Sequence, residues 1–372
     1  MTRICHLFEP HAPDDTILAA HLMTRRLARE HFEHRFVRLD GRNARETNLP
    51  DVHRIPWRFG LDFTVGPRLR RYVEHHRIDM VHAWGLDALT ISSGALSNVV
   101  PIAATLTHPP RDRSWSRWFQ AVATHATPAV ATPSGIVQRR AIEAGLDPNR
   151  TVVIRPGIDF HALHEAKRLM TRDALDLPED AQVLVTLPTP SRAGGHFLAA
   201  WAAAMLCYRL KKLRVLIPGV SAEQRRLKRF ADSLNIDGLF TFTDQRHAFG
   251  DLLAVADLVV VAAVDDVPAV PLGWAMAAGR PIVGSAVPAV TEFIADRSNG
   301  LLCKPGQPVL LAARIRTALN DPRLSARLAD TARSQAFEVF SMRRNADQYR
   351  LFYENILADR SPGENIRDTA IK

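Results

Sequence analysis

Val183-Leu184-Val185-Thr186-Leu187, followed by Ser191-Arg192-Ala193-Gly194-Gly195-His196, decides how this chain is read. The first five residues form a buried-type strand, and 195–211, rich in Ala and Leu, reads as a helix. The glycine pair at the junction lets backbone approach a ligand closely. Downstream the alternation continues, with a strand over 214–217 ending at Pro218-Gly219 and a helix over 222–234. Strands follow over 239–243, 258–262 and 281–284. Upstream the same pattern has already run once. Strands are predicted over 3–8, 36–39, 80–83, 102–106, 129–132 and 151–155, and helices over 16–30 and 68–76. Strands alternating with helices argue for parallel βαβ units, and the restart argues for two doubly wound α/β sheets in tandem. The ligand crevice of such a sheet lies at the carboxyl ends of its strands, and two in tandem can face each other across a cleft.

A length of 372 residues fits two domains of ordinary size. With 47% hydrophobic and 23% charged residues the composition is globular. Apolar runs such as Asp257-Leu258-Val259-Val260-Val261-Ala262-Ala263 have strand length, too short to span a bilayer. The N-terminus enters a strand directly with no signal-peptide pattern, so a cytoplasmic location is expected. Cys5, Cys207 and Cys303 share no metal or redox spacing and read as reduced, packed thiols. The net charge of +9 comes mostly from arginine, without a long basic run or a nucleic-acid motif. Nucleic acid is therefore not an expected partner.

Several segments, in order and spacing, resemble the retaining family-4-type (group 1) glycosyltransferases of GT-B fold. They are Asp79-Met80-Val81-His82-Ala83-Trp84-Gly85, Thr105-Leu106-Thr107-His108, and Thr132-Pro133-Ser134 with Val152-Val153-Ile154-Arg155-Pro156-Gly157-Ile158-Asp159. Ser191-Arg192-Ala193-Gly194-Gly195-His196, Trp274-Ala275-Met276-Ala277-Ala278-Gly279-Arg280-Pro281 and Asn299-Gly300-Leu301-Leu302 continue the match, which spans about 3–358. The resemblance implies an N-terminal, acceptor-side Rossmann-like domain over 1–162, completed by a returning helix over 338–358. It implies a nucleotide-sugar donor domain over 163–337, and leaves 359–372 as a polar tail. It further implies a metal-independent reaction with a nucleotide sugar as co-substrate and no other cofactor.

The family holds its donor diphosphate with an Arg and a Lys; the matching positions are Thr189 and Gly194, both uncharged. Each charge-assisted hydrogen bond contributes about 1.5–3 kcal/mol, so the pair is worth roughly 10²–10⁴ in binding or rate. Arg192 lies between them and can reach a phosphate instead; otherwise it is a solvent-facing loop residue. Gly195 keeps the close backbone approach. The family's paired glutamates, one on the sugar and one on the ribose, correspond to Asp266 and Trp274. The indole N–H of Trp274 only donates, so it cannot accept from a ribose hydroxyl; packing is the competing reading. Asp265 offers an alternative carboxylate, and the 244–250 loop offers backbone groups to a base.

On the acceptor side, His108 matches a cleft histidine that contacts the donor sugar. A structural role is the alternative for His108. His82, at a strand end, and Trp84 are further cleft candidates, Trp84 by stacking on a sugar, with packing as its alternative. The family's glycine loop after the first strand is replaced by Pro10-His11-Ala12-Pro13-Asp14-Asp15-Thr16, where Asp14 or Asp15 is expected to cap the next helix. Arg111, Arg113, Trp115, Arg117, Trp118 and Phe119 interleave basic and aromatic groups, which suits an anionic membrane face or a lipid-linked acceptor. An ordinary amphipathic helix is the alternative. The expected function is hexosyl transfer to a glycan or lipid-linked acceptor in polysaccharide synthesis. The alternatives are a catalytically inactive GT-B binding or scaffold protein and, more remotely, a GT-B epimerase.

Overall fold

In the computed structural model, residues 1–10, 12, 14–27, 31–40, 52–57, 62, 64–106, 128–188, 190–219, 221–243, 249–265, 267–359 and 362 are described. The chain divides into two compact units, Met1–Gly157 with Met342–Lys372, and Ile158–Ser341. It crosses from the first to the second at Gly157–Ile158, where 162–163 was expected, and returns at Ser341–Met342, where 337–338 was expected.

Unit 1 is built on β1 (Thr2–Phe8), β2 (Phe32–Asp40), β3 (Val52–Pro56), β4 (Met80–Trp84), β5 (Ile102–Thr105), β6 (Ala129–Thr132) and β7 (Thr151–Val153). Their order in the sheet is β3-β2-β1-β4-β5-β6-β7, and every pairing is parallel. Helices α1 (Asp14–Arg26), α2 (Val65–His75), α3 (Leu86–Leu96) and α4 (Gly135–Glu143) form the crossovers. Both faces are buried, as parallel sheets require. Ile4, Phe8, Met80 and Trp84 point to one face, and Cys5, Leu7, Val81 and Ala83 to the other.

Unit 2 opens with α5 (Phe160–Leu169) and continues through β8 (Gln182–Thr186), α6 (His196–Cys207), β9 (Leu213–Ile217), α7 (Ala222–Ser233), β10 (Phe240–Phe242), α8 (Phe249–Val255) and β11 (Leu258–Val261). Next come α9 (Ala269–Ala277), β12 (Ile282–Ser285), α10 (Pro288–Thr291), β13 (Leu301–Cys303), α11 (Pro308–Asn320) and α12 (Pro322–Val339). The parallel sheet runs β10-β9-β8-β11-β12-β13. Its strand order reverses between β8 and β11, the switch point of a Rossmann sheet. α5 was not among the helices expected from the sequence. Asp159 starts it by accepting from the amides of His161 and Ala162 at 2.9 and 3.1 Å, and Leu163 and Ala166 give it a buried side. Arg172 then anchors the following loop, its Nη2 donating to both carboxylate oxygens of Asp257 at 2.9 Å and its Nη1 to the carbonyls of Glu179 and Ala181.

The returning helix α13 (Met342–Leu357) packs onto unit 1 through Tyr349, Phe352, Tyr353 and Ile356. A buried polar network lies beneath it. His82 bonds the Tyr353 hydroxyl through Nδ1 at 2.7 Å and Thr105 Oγ1 through Nε2 at 2.8 Å. Thr105 Oγ1 also bonds the Tyr349 hydroxyl at 2.8 Å. Trp84 donates its indole N–H to His6 Nδ1 at 3.1 Å. An indole can only donate, so His6 carries its proton on Nε2 and gives it to His34 Nδ1 at 3.0 Å. Burial holds these rings neutral: His6 titrates well below its usual range, His34 near about 4 and His82 near about 3.

These shifts fix a sign. Below the ordinary histidine value of 6.5 the unfolded chain takes up protons that the native rings refuse. Stability is therefore full above about pH 6.5 and falls from there toward about pH 4, and thermal melts across that range will show it. Tyr353→Phe leaves His82 Nδ1 without a partner and should cost about 1–3 kcal/mol in denaturant unfolding.

Candidate functional site

The strand order of unit 2 reverses between β8 and β11, and the loops leaving the carboxyl ends of these two strands meet there. The loop after β8 folds back on itself: Ser191 Oγ accepts from the Gly194 amide at 3.0 Å, and the Arg192 carbonyl accepts from the Gly195 amide at 3.2 Å. The loop after β11 docks on it, with the Val264 amide bonded to the Ala193 carbonyl at 2.9 Å. Gly195 has φ +65°, and a Cβ at this position would overlap the carbonyl oxygen of Ala262. Only glycine meets both demands. α6 begins immediately afterwards. The amides of Leu198 and Ala199 return to the Gly195 carbonyl, whereas those of His196 and Phe197 have no partner among the described residues. Two unpaired N–H groups at the positive end of a twelve-residue helix, beside glycine backbone at a switch point, form an anion-binding arrangement.

His196, which sequence reasoning passed over, lies under this turn. It is 2% exposed, and neither ring nitrogen has a partner at good hydrogen-bond geometry among the described residues. Burial pushes its pKa down to about 4, partly offset by the nearby carbonyls of Pro188 and Ser191. A Cβ on Gly194 would lie 2.9 Å from this ring, so the imidazole has taken the space that a larger side chain at 194 would need.

The other donor-side residues fall in three groups. Arg192 stands out in solvent, its side chain 88% exposed, paired at 3.5 Å with Glu223 in the first turn of α7. An exposed pair of this kind holds its partners weakly, so Arg192 is able to swing toward a ligand. Asp265 is exposed on the loop after β11. Trp274 is half-buried in α9 with its ring against the backbone of Gly250 in α8. Thr189, Asp266 and most of the 244–250 loop lie outside the described residues, as do His108, Arg111 and the basic–aromatic cluster that follows.

In unit 1 the structure corrects two expectations. His82 is fully buried with both ring nitrogens bonded, and Trp84 is 6% exposed with its ring among Phe8, His82 and Tyr349. Neither presents a face to an acceptor, because the returning helix covers that side of the sheet. The side chains of Asp14 and Asp15, expected to cap α1, lie outside the described residues.

A different residue holds the switch point of unit 1, between β1 and β4. Glu9 follows β1 directly, and its carboxylate sits at the N-terminus of α3. The amides of Leu86 and Asp87 favour its charged form, but burial and the neighbouring Asp87 carboxylate outweigh them and push its pKa up to about 7. Gly85, φ +97°, makes room for it, since a Cβ there would overlap the Glu9 carboxylate. Nearby on β2, Arg38 is 6% exposed and donates through Nη2 to the Pro10 carbonyl at 3.1 Å. Its Nε and Nη1 are buried without a partner among the described residues. No motif marks either residue; the signal is their burial.

Two tandem Rossmann-like units, each with its crevice at a strand-order reversal, define a GT-B protein. Residues 168–335 match the family model described as "Glycosyl transferases group 1", and residues 19–161 match that described as "Glycosyltransferase Family 4". The chain belongs to the GT-B glycosyltransferases of this group. It is 29% identical over 266 residues to D-inositol 3-phosphate glycosyltransferase of Geodermatophilus obscurus, covering 68% of this chain and 58% of the relative. It is 26% identical over 151 residues to N-acetyl-alpha-D-glucosaminyl L-malate synthase of Bacillus anthracis, covering 41% of this chain and 40% of the relative. The matched part spans about half the length of these curated relatives. Among solved structures, Anabaena HepE in complex with UDP and glucose superposes with a TM-score of 0.79 at 19% identity, over 95% of this chain and 100% of HepE.

Gly195→Ala tests the turn. The positive φ alone costs about 1–2 kcal/mol, and the overlap with Ala262 adds to it. The variant should unfold at lower denaturant and lose affinity for any nucleoside diphosphate that the wild type binds, measured by calorimetry.

Proposed function

We propose that the protein transfers a sugar from a nucleoside diphosphate sugar to a hydroxyl of a glycan or lipid-linked acceptor, with retention and without a metal ion. The observation that carries this reading is the start of α6, where two unpaired amides and a glycine turn stand at the switch point of the unit that matches the group 1 family model. In the reaction the anomeric C–O bond to the diphosphate breaks and negative charge grows on the leaving phosphate. The α6 amides stabilise that charge, and Arg192 approaches from solvent. The acceptor hydroxyl attacks the same face, and its proton passes to the leaving phosphate oxygen. Asp265 or Asp266 and His108 contact the sugar, as the family resemblance implies. UDP is the first nucleotide to try, because HepE is described with it.

The acceptor falls to unit 1. Glu9, titrating near about 7, changes charge in the physiological range and can accept a hydrogen bond from an acceptor hydroxyl once ionised. The 111–119 cluster remains the proposed membrane or lipid contact on this side.

A second reading keeps nucleotide binding without transfer. It is favoured by the neutral residues at 189 and 194 and by Trp274, whose half-buried ring packs where the family has a ribose-binding carboxylate.

Calorimetric titration with UDP, GDP and ADP, followed by assay of sugar release from the matching nucleotide sugars, separates these readings. Binding with slow donor hydrolysis is the expected result. Binding without turnover under any condition supports the second reading, and failure to bind any of the nucleotides contradicts both.

A further inference from the structure

The outer side of α6 has no role in the donor site and is not part of the core. Its inner side, Ala199, Ala200, Ala202, Ala203 and Leu206, is buried in the core of unit 2. On the outer side Trp201, Met205 and Tyr208 follow one another at helical spacing and are 45%, 38% and 69% exposed. A tryptophan, a methionine and a tyrosine aligned on one helix form a contiguous apolar stripe, unlike singly scattered surface hydrophobics. The stripe is held rigid. Trp201 stacks on Phe230 of the neighbouring α7, ring centroids 5.5 Å apart, and Phe230 in turn lies 4.9 Å from Phe197.

Cations rim this stripe. Arg225 and Arg229 are exposed on α7, and Arg209 and Lys211 in the turn after α6; Lys228 of α7 lies instead over the Phe242 ring of β10, 5.2 Å from its centre. Lys211 stands 5.8 Å from the centre of the Tyr208 ring. These four make no ion pair with a carboxylate among the described residues. Of the carboxylates on α7, Glu223 pairs with Arg192 and Arg226 and Asp232 is exposed; Asp180, before β8, pairs with Lys212. The surface therefore combines an apolar line containing Trp and Tyr with exposed basic side chains on α7 and on the turn after α6.

We propose that α6 and α7 of unit 2 form a docking surface for an anionic lipid bilayer, with Trp201, Met205 and Tyr208 entering the interface and the flanking cations binding lipid headgroups. Trp and Tyr favour the headgroup level because one end of the ring is apolar and the other polar. Lys and Arg lay their stems along apolar surface while their charges reach phosphate. A second copy of the chain fits less well, because face-to-face pairing would set two basic rims against each other. Nucleic acid would satisfy the cations and leave Met205 and its neighbours without a partner. The proposal rests on unit 2 alone and does not depend on transferase activity.

The test uses the full chain in co-sedimentation with vesicles of phosphatidylcholine, with and without phosphatidylglycerol. Binding is expected only to the anionic vesicles and should weaken as salt rises. Arg225→Glu with Arg229→Glu should reduce it by about tenfold or more, and Trp201→Ala with Tyr208→Ala should reduce it comparably. Both pairs should leave nucleotide binding unchanged. The arginine pair lies on an exposed helix face and keeps the test valid if Trp201→Ala perturbs packing against Phe230. The proposal is overturned if neither vesicle type is bound, if neutral and anionic vesicles are bound equally, or if the arginine pair leaves binding intact. Concentration-dependent dimerisation abolished by the same variants, or capture of RNA without vesicle binding, would also overturn it.

Discussion

The carbonyl oxygen of Ala262 leaves room for only a hydrogen on the α-carbon of Gly195. That contact locks the loop after β8 to the end of β11, and with it the direction in which α6 sets out. Every donor-side feature of unit 2 inherits this geometry. The unpaired amides of His196 and Phe197 point from the helix start, Ser191 braces the turn, and the loop carrying Asp265 hangs from the Ala193 carbonyl. Such a site uses fixed dipoles in place of mobile side-chain charges. Amides held in place need no reorganisation when charge develops, so in the proposed reaction they would stand in for the Arg and Lys that the family resemblance implies. The buried His196 ring belongs to the same economy of space, since it fills the volume beneath Gly194 and keeps that position small.

Unit 1 is organised by a different constraint. Two tyrosines of the returning helix reach through the apolar face to Thr105 and His82, so α13 is joined to the sheet by directed hydrogen bonds as well as by packing. In a dry interior an unmade bond is costly, and the register of α13 on the sheet is fixed accordingly. Glu9 stands just past the carboxyl end of β1. It draws the opposite pH response to the histidines, since its raised pKa makes the native state hold a proton that the unfolded chain releases above about pH 4.5. One carboxyl opposes the depressed histidines His6, His34, His82 and His196, so the acid weakening of the fold prevails.

The central strands were legible because burial on both faces writes a continuous apolar run, as in Val183–Leu187 and Leu258–Val261. The edge strand β3 was not. Its Val-His-Arg-Ile-Pro sequence carries one buried residue, Ile55, and gives no apolar run. α5 was hidden by its polar composition and is visible only through its Asp159 cap and the burial of Leu163 and Ala166. At the site, the glycine pair marked where backbone geometry is special, but what demands it, the positive φ of Gly195 and the Ala262 carbonyl against its α-carbon, is a tertiary feature. His82 and Trp84 were read as facing a ligand because strand ends in such sheets usually do; the returning helix, hundreds of residues later in the chain, covers them instead. Glu9, Arg38 and His196 could not be found from sequence, since what distinguishes each is the tertiary environment around a commonplace residue type.

Hydrogen–deuterium exchange with and without UDP bears most directly on the claim that backbone amides at the start of α6 hold the diphosphate. The account predicts that the segment from Ser191 to Ala199 exchanges more slowly when UDP is bound, with the largest change at His196 and Phe197. Protection confined to other segments, with that turn unchanged while UDP is demonstrably bound, would contradict it.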